Sequence, residues 1–223
     1  MNIPSSQLLE QAVNNLSEQL SVTPLVGAEL EFYVIGKGVD SGAFCQKVNE
    51  SFTDGRCVEE EGEGQFELTF SQTTDPLALA KIITDSKTKV ANIARLFEAD
   101  IVFSPKPMSN QPGSGLHIHL SLLDQEGRNI LCKLGEDEGD SMCYVVGGLL
   151  ELLPASTQFF IPTQEGYRRL GEQYVPSTVS WGGNNRTVAL RLPATTECPE
   201  SRRVEHRVSA SDGDPFAVLA HVL

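Results

Sequence analysis

The chain has 223 residues, 40% of them hydrophobic, enough to bury a real core as one large domain or one domain with a short appendage. Its 30 acidic against 17 basic residues leave a formal charge of −13, which argues against nucleic-acid backbones and membrane surfaces as partners, because those anions attract the opposite sign. Five scattered cysteines, Cys45, Cys57, Cys132, Cys143 and Cys198, form no C-x-x-C pair and specify neither a disulfide framework nor a structural zinc site. There is no basic n-region followed by an apolar h-region, and no apolar run approaches the ~20 residues of a spanning helix, so a cytoplasmic location is expected.

In chain order, Leu8, Leu9, Val13, Leu16 and Leu20 recur at helical spacing after Ser5-Ser6, which predicts an amphipathic helix capped there and ended by Pro24. "LVGAELEFYVIG" alternates and is rich in aromatic and branched residues, a strand running into Gly36. From Lys37 to Glu63 the sequence is irregular and polar and reads as a surface excursion, after which "GQFELTF" resumes strand alternation. Asp75-Pro76 opens a long helix to about Phe97. "DIVFSP" reads as a short buried strand and "GLHIHLSLLD" as an alternating one. A second helix is expected from Asp140 to Leu153, then short strands around "STVSW", "TVALRLP" and "RRVEHRVS", then a helix in "PFAVLAHVL". Strands outnumbering helices without βαβ alternation favour an α+β fold with a largely antiparallel sheet.

The residues able to carry chemistry fall on a few of these strands. Glu29 and Glu31 project from one face of theirs while Leu30 and Phe32 take the other, so they form either a solvated sheet face or a cation site. Glu60 and Glu67 bracket "EGEGQF", whose glycines let the chain turn closely; the acidic run read alone is a solvated loop, but Glu67 sits between apolar neighbours. His117 and His119 share a face with Ser121, as hydrogen-bonded core histidines or as metal ligands, after a Gly113-Ser114-Gly115 turn that frees backbone N–H groups. Arg186, Arg191, Arg202, Arg203 and Arg207 crowd the C-terminal third beside Glu205, either as surface ion pairs or as forks for carboxylate or phosphate. Acids and a histidine for divalent cations, with arginines for anions, suit phosphoryl transfer from a metal-bound nucleotide to an anionic acceptor. The P-loop and protein-kinase signatures are absent.

In order, "GAELEF", "GEGQFE", "GSGLHIHLSL", "WGGNNRTVALRLP" and "RRVEHR" resemble the successive active-site motifs of the glutamine synthetase family, from Gly27 to Arg207. The resemblance implies a curved, largely antiparallel sheet with flanking helices, a glutamine synthetase/guanido kinase-like catalytic domain. Residues 27–223 are taken as that domain and 1–26 as an N-terminal helical extension. It implies an ATP-dependent ligase that activates the γ-carboxylate of glutamate as a γ-glutamyl phosphate and joins it to ammonia or an amine, with Mg2+ or Mn2+. By motif position Glu31, Glu60 and Glu67 resemble the ligands of one cation, and Glu29, His117 and Glu205 those of a second. Arg186, Arg191 and Arg207 resemble the catalytic arginines; Arg169, Gly113 and Arg207 the glutamate contacts; and His119, Ser121 and Arg203 the nucleotide contacts. A homo-oligomer is expected.

Four departures accompany the resemblance. A glutamate that takes the proton from ammonium in the family is Val175 here, as in relatives that use larger amines, and Glu172 is out of register with it. The asparagine before the glycine turn is Pro112. No counterpart of the family's N-terminal β-grasp domain is expected in the 26 residues before Gly27, and the stretch between Glu31 and Glu60 is short. The chain is also expected to lack the family's further C-terminal helices. These departures motivate an alternative: a catalytically impaired binding or regulatory protein that senses nucleotide or glutamate.

Overall fold

The computed structural model describes residues 3–132, 139–172, 174–195 and 199–223; Cys198 lies outside them. The elements in order are α1 (Ser5–Leu20), β1 (Thr23–Ile35), α2 (Ser41–Ser51), β2 (Gly55–Glu59), β3 (Gln65–Thr73), α3 (Pro76–Arg95), β4 (Asp100–Val102), β5 (Leu116–Leu123), α4 (Asp140–Phe160), α5 (Gln164–Tyr167), β6 (Trp181–Gly183), β7 (Leu190–Leu192), β8 (Val204–His206) and α6 (Pro215–Val222).

Among the described residues the strands form one sheet in the order β2-β3-β1-β5-β8-β7-β6, and β4 pairs with the far end of β1. Every pairing is antiparallel except β6 with β7, so the fold is the expected α+β class with a mixed, largely antiparallel sheet. Strand β1, 13 residues long, is the spine: β3 flanks one edge while β5 and then β4 share the other. Its alternation buries Leu30 and Phe32 completely, in one core with Ile118 and Leu120 of β5, Leu9 of α1, Leu79 and Ile83 of α3, and Val218 and Leu219 of α6. With that face covered by helices, the opposite face is left for polar side chains. No helix of the described residues is long and apolar enough to cross a membrane.

Several elements differ from the sequence reading: α5 is absent from it, and the strand read around "STVSW" is β6, shifted to Trp181–Gly183. The stretch read as a surface excursion contains α2 and β2: Asp40 caps α2 by accepting from the Ala43 amide at 2.9 Å, and Phe44 and Val48 bury its short apolar face. Two anchors on so polar a segment give too little periodicity to register as a helix. Helix α4 continues through Pro154 to Phe160, because Leu153 and Phe160 remain buried on the same side and outweigh the one amide bond to Leu150 that proline forgoes. Helix α1 begins behind Pro4, with no side-chain cap from Ser5 or Ser6, and ends at Leu20 with Ser21 in the left-handed region, ahead of Pro24.

Candidate active site

The polar face of the sheet collects its functional side chains by register. Glu31 of β1 lies opposite Glu67 of β3, and Glu29 lies opposite His117 of β5. His119 and Arg191, on β5 and β7, each pair with Glu205 of β8. Period-two alternation then points the whole set the same way. Glu60 reaches it from the turn between β2 and β3, where the Glu60 amide donates to the Gln65 carbonyl at 2.9 Å.

Two cavities result, and Glu29 lines both. The first, about 150 Å³, is walled by Glu29, Glu31, Glu60, Glu67, His117 and Glu205, with Arg169, Arg186, Arg191, Arg207, Gly113, Pro112 and Val175 around them. The second, about 300 Å³, holds His119, Ser121 and Arg203 beside Gly27 and Thr69. Glu29 accepts from His119 Nε2 at 2.8 Å and faces His117 Nδ1 at 3.4 Å. Arg203 Nε donates to His119 Nδ1 at 3.0 Å, and Ser121 Oγ donates to the Arg202 carbonyl at 3.0 Å.

Charge is unevenly matched across this surface. Glu205, fully buried, is held by Arg191 Nη1 at 2.7 Å and by Arg207, and its carboxyl sits below the ordinary range: burial opposes ionisation, but His117, Arg207 and His119 outweigh it. Glu29 is likewise held low, its burial overcome by the bonds to His117 and His119. Glu67 is the reverse. Burial first, then the charges of Glu29, Glu31, Glu60 and Glu205, push it up to about 9, and Glu60 is raised by burial and Glu31. Like charges directly opposite on a sheet destabilise it, so the Glu31–Glu67 pair is the part of the site that a divalent cation would relieve.

Hard oxygen donors with imidazole nitrogen are a donor set for Mg2+ or Mn2+. Among the described residues, ligand atoms of Glu29, Glu67 and His117, and those of Glu29, His119 and Glu205, lie within 4.8 Å of one another. The grouping expected from sequence, Glu31 with Glu60 and Glu67, and His117 with Glu29 and Glu205, differs from these triplets. Here Glu31 Oε2 accepts from the Gly115 amide at 2.6 Å and Glu29 bridges both sets.

Arg169, read as a substrate contact, is fully buried and spends its guanidinium on the main chain: Nη1 on the Ser114 carbonyl at 3.1 Å, Nη2 on those of Val208 and Ser209 at 2.6 and 3.0 Å. Gly113 is required here, since a Cβ would strike the Arg169 stem and the Pro105 carbonyl. Arg207 Nε donates to the Arg186 carbonyl and Nη2 to that of Tyr174, both at 3.2 Å. Glu172 pairs with Lys106, whose Nζ also donates to the Gln111 carbonyl at 2.6 Å.

Gln65 was missed by the sequence reading. Buried beneath the first cavity, it donates to the Gly113 carbonyl and accepts from the Gly62 amide, each at 3.0 Å, while Tyr33 Oη donates to the Pro112 carbonyl at 2.7 Å. Its signal was present, because counting back two from Glu67 along β3 puts Gln65 on the same face.

A mixed sheet with one helix-covered face, and carboxylates, imidazoles and guanidinium groups gathered on the other, defines the class of catalytic domain that the motifs resembled. The family described as "Glutamine synthetase, catalytic domain" matches residues 51–223, and the chain belongs to the glutamine synthetase family. It is 29% identical to the gamma-glutamylputrescine synthetase PuuA of Escherichia coli K12, over 94% of this chain and 52% of that protein. With the glutamine synthetase of Thermococcus kodakarensis it shares 33% identity over 74% of this chain and 36% of the other. The fold matches that of a GmaS/ADP complex, with a TM-score of 0.79 at 23% identity over 95% of this chain and 55% of the other. It also matches a Plasmodium falciparum glutamine synthetase, with a TM-score of 0.84 at 18% identity, over 98% and 54%. The chain spans about half the length of PuuA and of these two structures, and about a third of the Thermococcus enzyme.

Proposed function

We propose that this chain is the catalytic portion of an ATP-dependent ligase that joins the γ-carboxylate of glutamate to ammonia or an amine through a γ-glutamyl phosphate. The observation that carries this reading is the position of Glu29 between the two cavities. It sets a nucleotide-contact side of His119, Ser121 and Arg203 against an acceptor side of carboxylates and arginines, as in-line transfer of a phosphoryl group from one to the other requires.

Mg2+ or Mn2+, held by residues among Glu29, Glu31, Glu60, Glu67, His117 and Glu205, would supply the charge neutralisation that lets phosphate oxygens meet a carboxylate. Arg191 and Arg207, fixed by Glu205, present guanidinium groups at the cavity wall for the transferring phosphoryl group, with Arg186 beside them. Arg169 positions rather than touches: it holds the Ser114 carbonyl and so the Gly113 turn against which glutamate rests. Val175 gives the nucleophile's side of the cavity an aliphatic wall, which favours an amine carrying carbon over ammonium. Assembly into a homo-oligomer is part of this reading.

The test is ADP release from Mg-ATP with glutamate and a panel of ammonia, alkylamines and polyamines. Amine-dependent release supports the ligase, and none from intact protein with any of them overturns it. The second reading, a nucleotide- or glutamate-binding relative without turnover, is favoured by Val175 and Pro112 together lining the acceptor cavity. Calorimetry that finds tight Mg-ATP binding with no release would select it.

A further inference from the structure

Away from the polar face, two thiols meet on the other side of the β2–β3 edge. Cys45 lies on α2 and Cys57 on β2, twelve positions apart in sequence, with their sulfurs 3.7 Å from each other. Their approach is held by a separate device. Asn49, one turn along α2 from Cys45, accepts from the Cys57 amide at 2.7 Å and donates to the Cys57 carbonyl at 3.2 Å, which fixes the helix over the strand at the residue bearing the second thiol. Cys57 is buried while Cys45 is partly exposed, so one sulfur meets solutes and the other waits behind it.

We infer that Cys45 and Cys57 are a site of oxidative modification, closed to an intramolecular disulfide by hydrogen peroxide. The sulfurs, 3.7 Å apart, need approach by only about 1.7 Å to reach the ~2.05 Å of a disulfide, a distance of the order that side-chain rotation covers. Cys45 acts first: its thiolate attacks the peroxide, an S–O bond forms, the O–O bond breaks, and the sulfenic acid and one water result after protonation. Cys57 then gives up its proton and attacks the Cys45 sulfur; the S–S bond forms, the S–O bond breaks, and a second water leaves. Two thiols are thereby oxidised by two electrons and the peroxide is reduced to two waters. Burial holds both thiols above the ordinary cysteine value, which makes the reaction slow at neutral pH and faster in mild alkali.

The consequence for the fold follows from register. Val58, next to Cys57, pairs with Glu67, and Glu60 follows two residues after it. A bridge between α2 and β2 therefore steadies the edge from which both carboxylates project, and it closes a short loop of the kind whose cross-linking raises stability. The inference stands on the sulfur pair and its clasp, independently of any ligase activity.

The experiment is peroxide treatment of the full chain at about pH 8.5, alkylation of remaining thiols under denaturing conditions, and peptide mapping by mass spectrometry, with a melting curve taken alongside. A Cys45–Cys57 cross-linked peptide lighter by two hydrogens is expected, with a melting temperature raised by several degrees and returned by dithiothreitol. Cys45→Ser should abolish both changes and, being the more exposed of the two substitutions, leaves the core intact. The mapping on the wild-type chain needs no variant at all. Alkylation of both Cys45 and Cys57 after peroxide, over-oxidation of Cys45 with Cys57 still reduced, or cross-linking of either to another cysteine would each overturn the inference.

Discussion

Glu29 and His119 share a 2.8 Å hydrogen bond although they are diagonal neighbours on β1 and β5, while the register partner of Glu29, His117, stands off at 3.4 Å. One carboxylate thus ties down both imidazoles at the boundary between the two cavities. A cation entering either candidate triplet must engage Glu29, because it belongs to both. Glu29→Gln keeps the shape and removes the charge, and should weaken Mn2+ binding by at least about tenfold, the smaller end of what even outer-shell changes cost. Electron paramagnetic resonance of free Mn2+ during titration measures this, and an unchanged affinity would remove Glu29 from the site.

The Glu67 carboxyl makes the metal-free protein pH-sensitive in a direction that can be worked out. It is held at about 9, against 4.5 for the ordinary group, so the folded chain binds a proton there that the unfolded chain releases. That contribution is complete below pH 4.5 and lost as pH rises through 9. Glu29 and Glu205, held low, change their contribution only in acid below the ordinary carboxylate range. With chelator present, stability should therefore fall from this group between pH 5 and 9, and added Mg2+ should raise the melting temperature more at the alkaline end, where it replaces a proton already leaving. Glu67→Gln should flatten both trends.

Much of this site was legible in the sequence because a β-strand broadcasts its faces. Glu29 with Glu31, and His117 with His119, are two apart, and that spacing alone placed each pair on one surface. Which strands would be neighbours is a matter of topology, so the expected grouping of Glu29 with His117 and Glu205 came from the order of the motifs and not from periodicity, whereas the register sets Glu29 and His117 with Glu67, and Glu29 and Glu205 with His119. Three features were hidden for physical reasons. Helix α2 rests on Phe44 and Val48 alone, too few apolar positions to define a period. Gln65 works through main-chain groups of remote loops, which no local pattern records. Arg169, read as a glutamate contact, lines the first cavity, but its three carbonyl partners lie on remote segments that no local pattern connects to it.

Those partners make Arg169 a stability residue. Burial, the main influence, pulls its guanidinium down only to about 10, so it stays charged at neutral pH and pairs with carbonyl dipoles. Arg169→Ala would strand the Val208 carbonyl in the interior and leave those of Ser114 and Ser209 with only their backbone donors, the Ser211 and Leu116 amides, so a loss of ~1–3 kcal/mol for the one unmet group is expected in urea unfolding. Arg169→Lys offers no planar fork and should recover only part of it. A variant within about 0.5 kcal/mol of wild type would mean that water or repacking satisfies the Val208 carbonyl.

Val175 tests the choice of nucleophile under the proposed activity. Val175→Glu would return a carboxylate to a cavity wall that already contains Arg186 and Glu60, giving ammonium a charge to pair with and its proton an acceptor. The ratio of kcat/KM for ammonia to that for an alkylamine should rise by at least roughly tenfold, against the ~100-fold or more that a well-placed base supplies. An unchanged ratio in an active variant would show that Val175 does not face the attacking nitrogen.

Gln65 is the hinge-pin between the acidic turn and the glycine turn. Its amide spans from Gly62 to Gly113, and a Cβ at Gly62 would run into the Tyr33 hydroxyl, so the two turns are held at one separation by groups with no slack. Gln65→Leu keeps the volume but leaves the Gly113 carbonyl and Gly62 amide unpaired, whereas Gln65→Glu keeps the acceptor and loses only the donor. If Gln65 positions the glycine turn for glutamate, Gln65→Leu should raise the glutamate KM by about tenfold or more while the ATP KM stays within about twofold, since His119, Ser121 and Arg203 lie in the other cavity. A general loss of structure would instead lower kcat and disturb both KM values together. Steady-state kinetics with each substrate varied in turn, alongside a melting curve, separates these outcomes, and equal shifts in the two KM values would refute the positioning role.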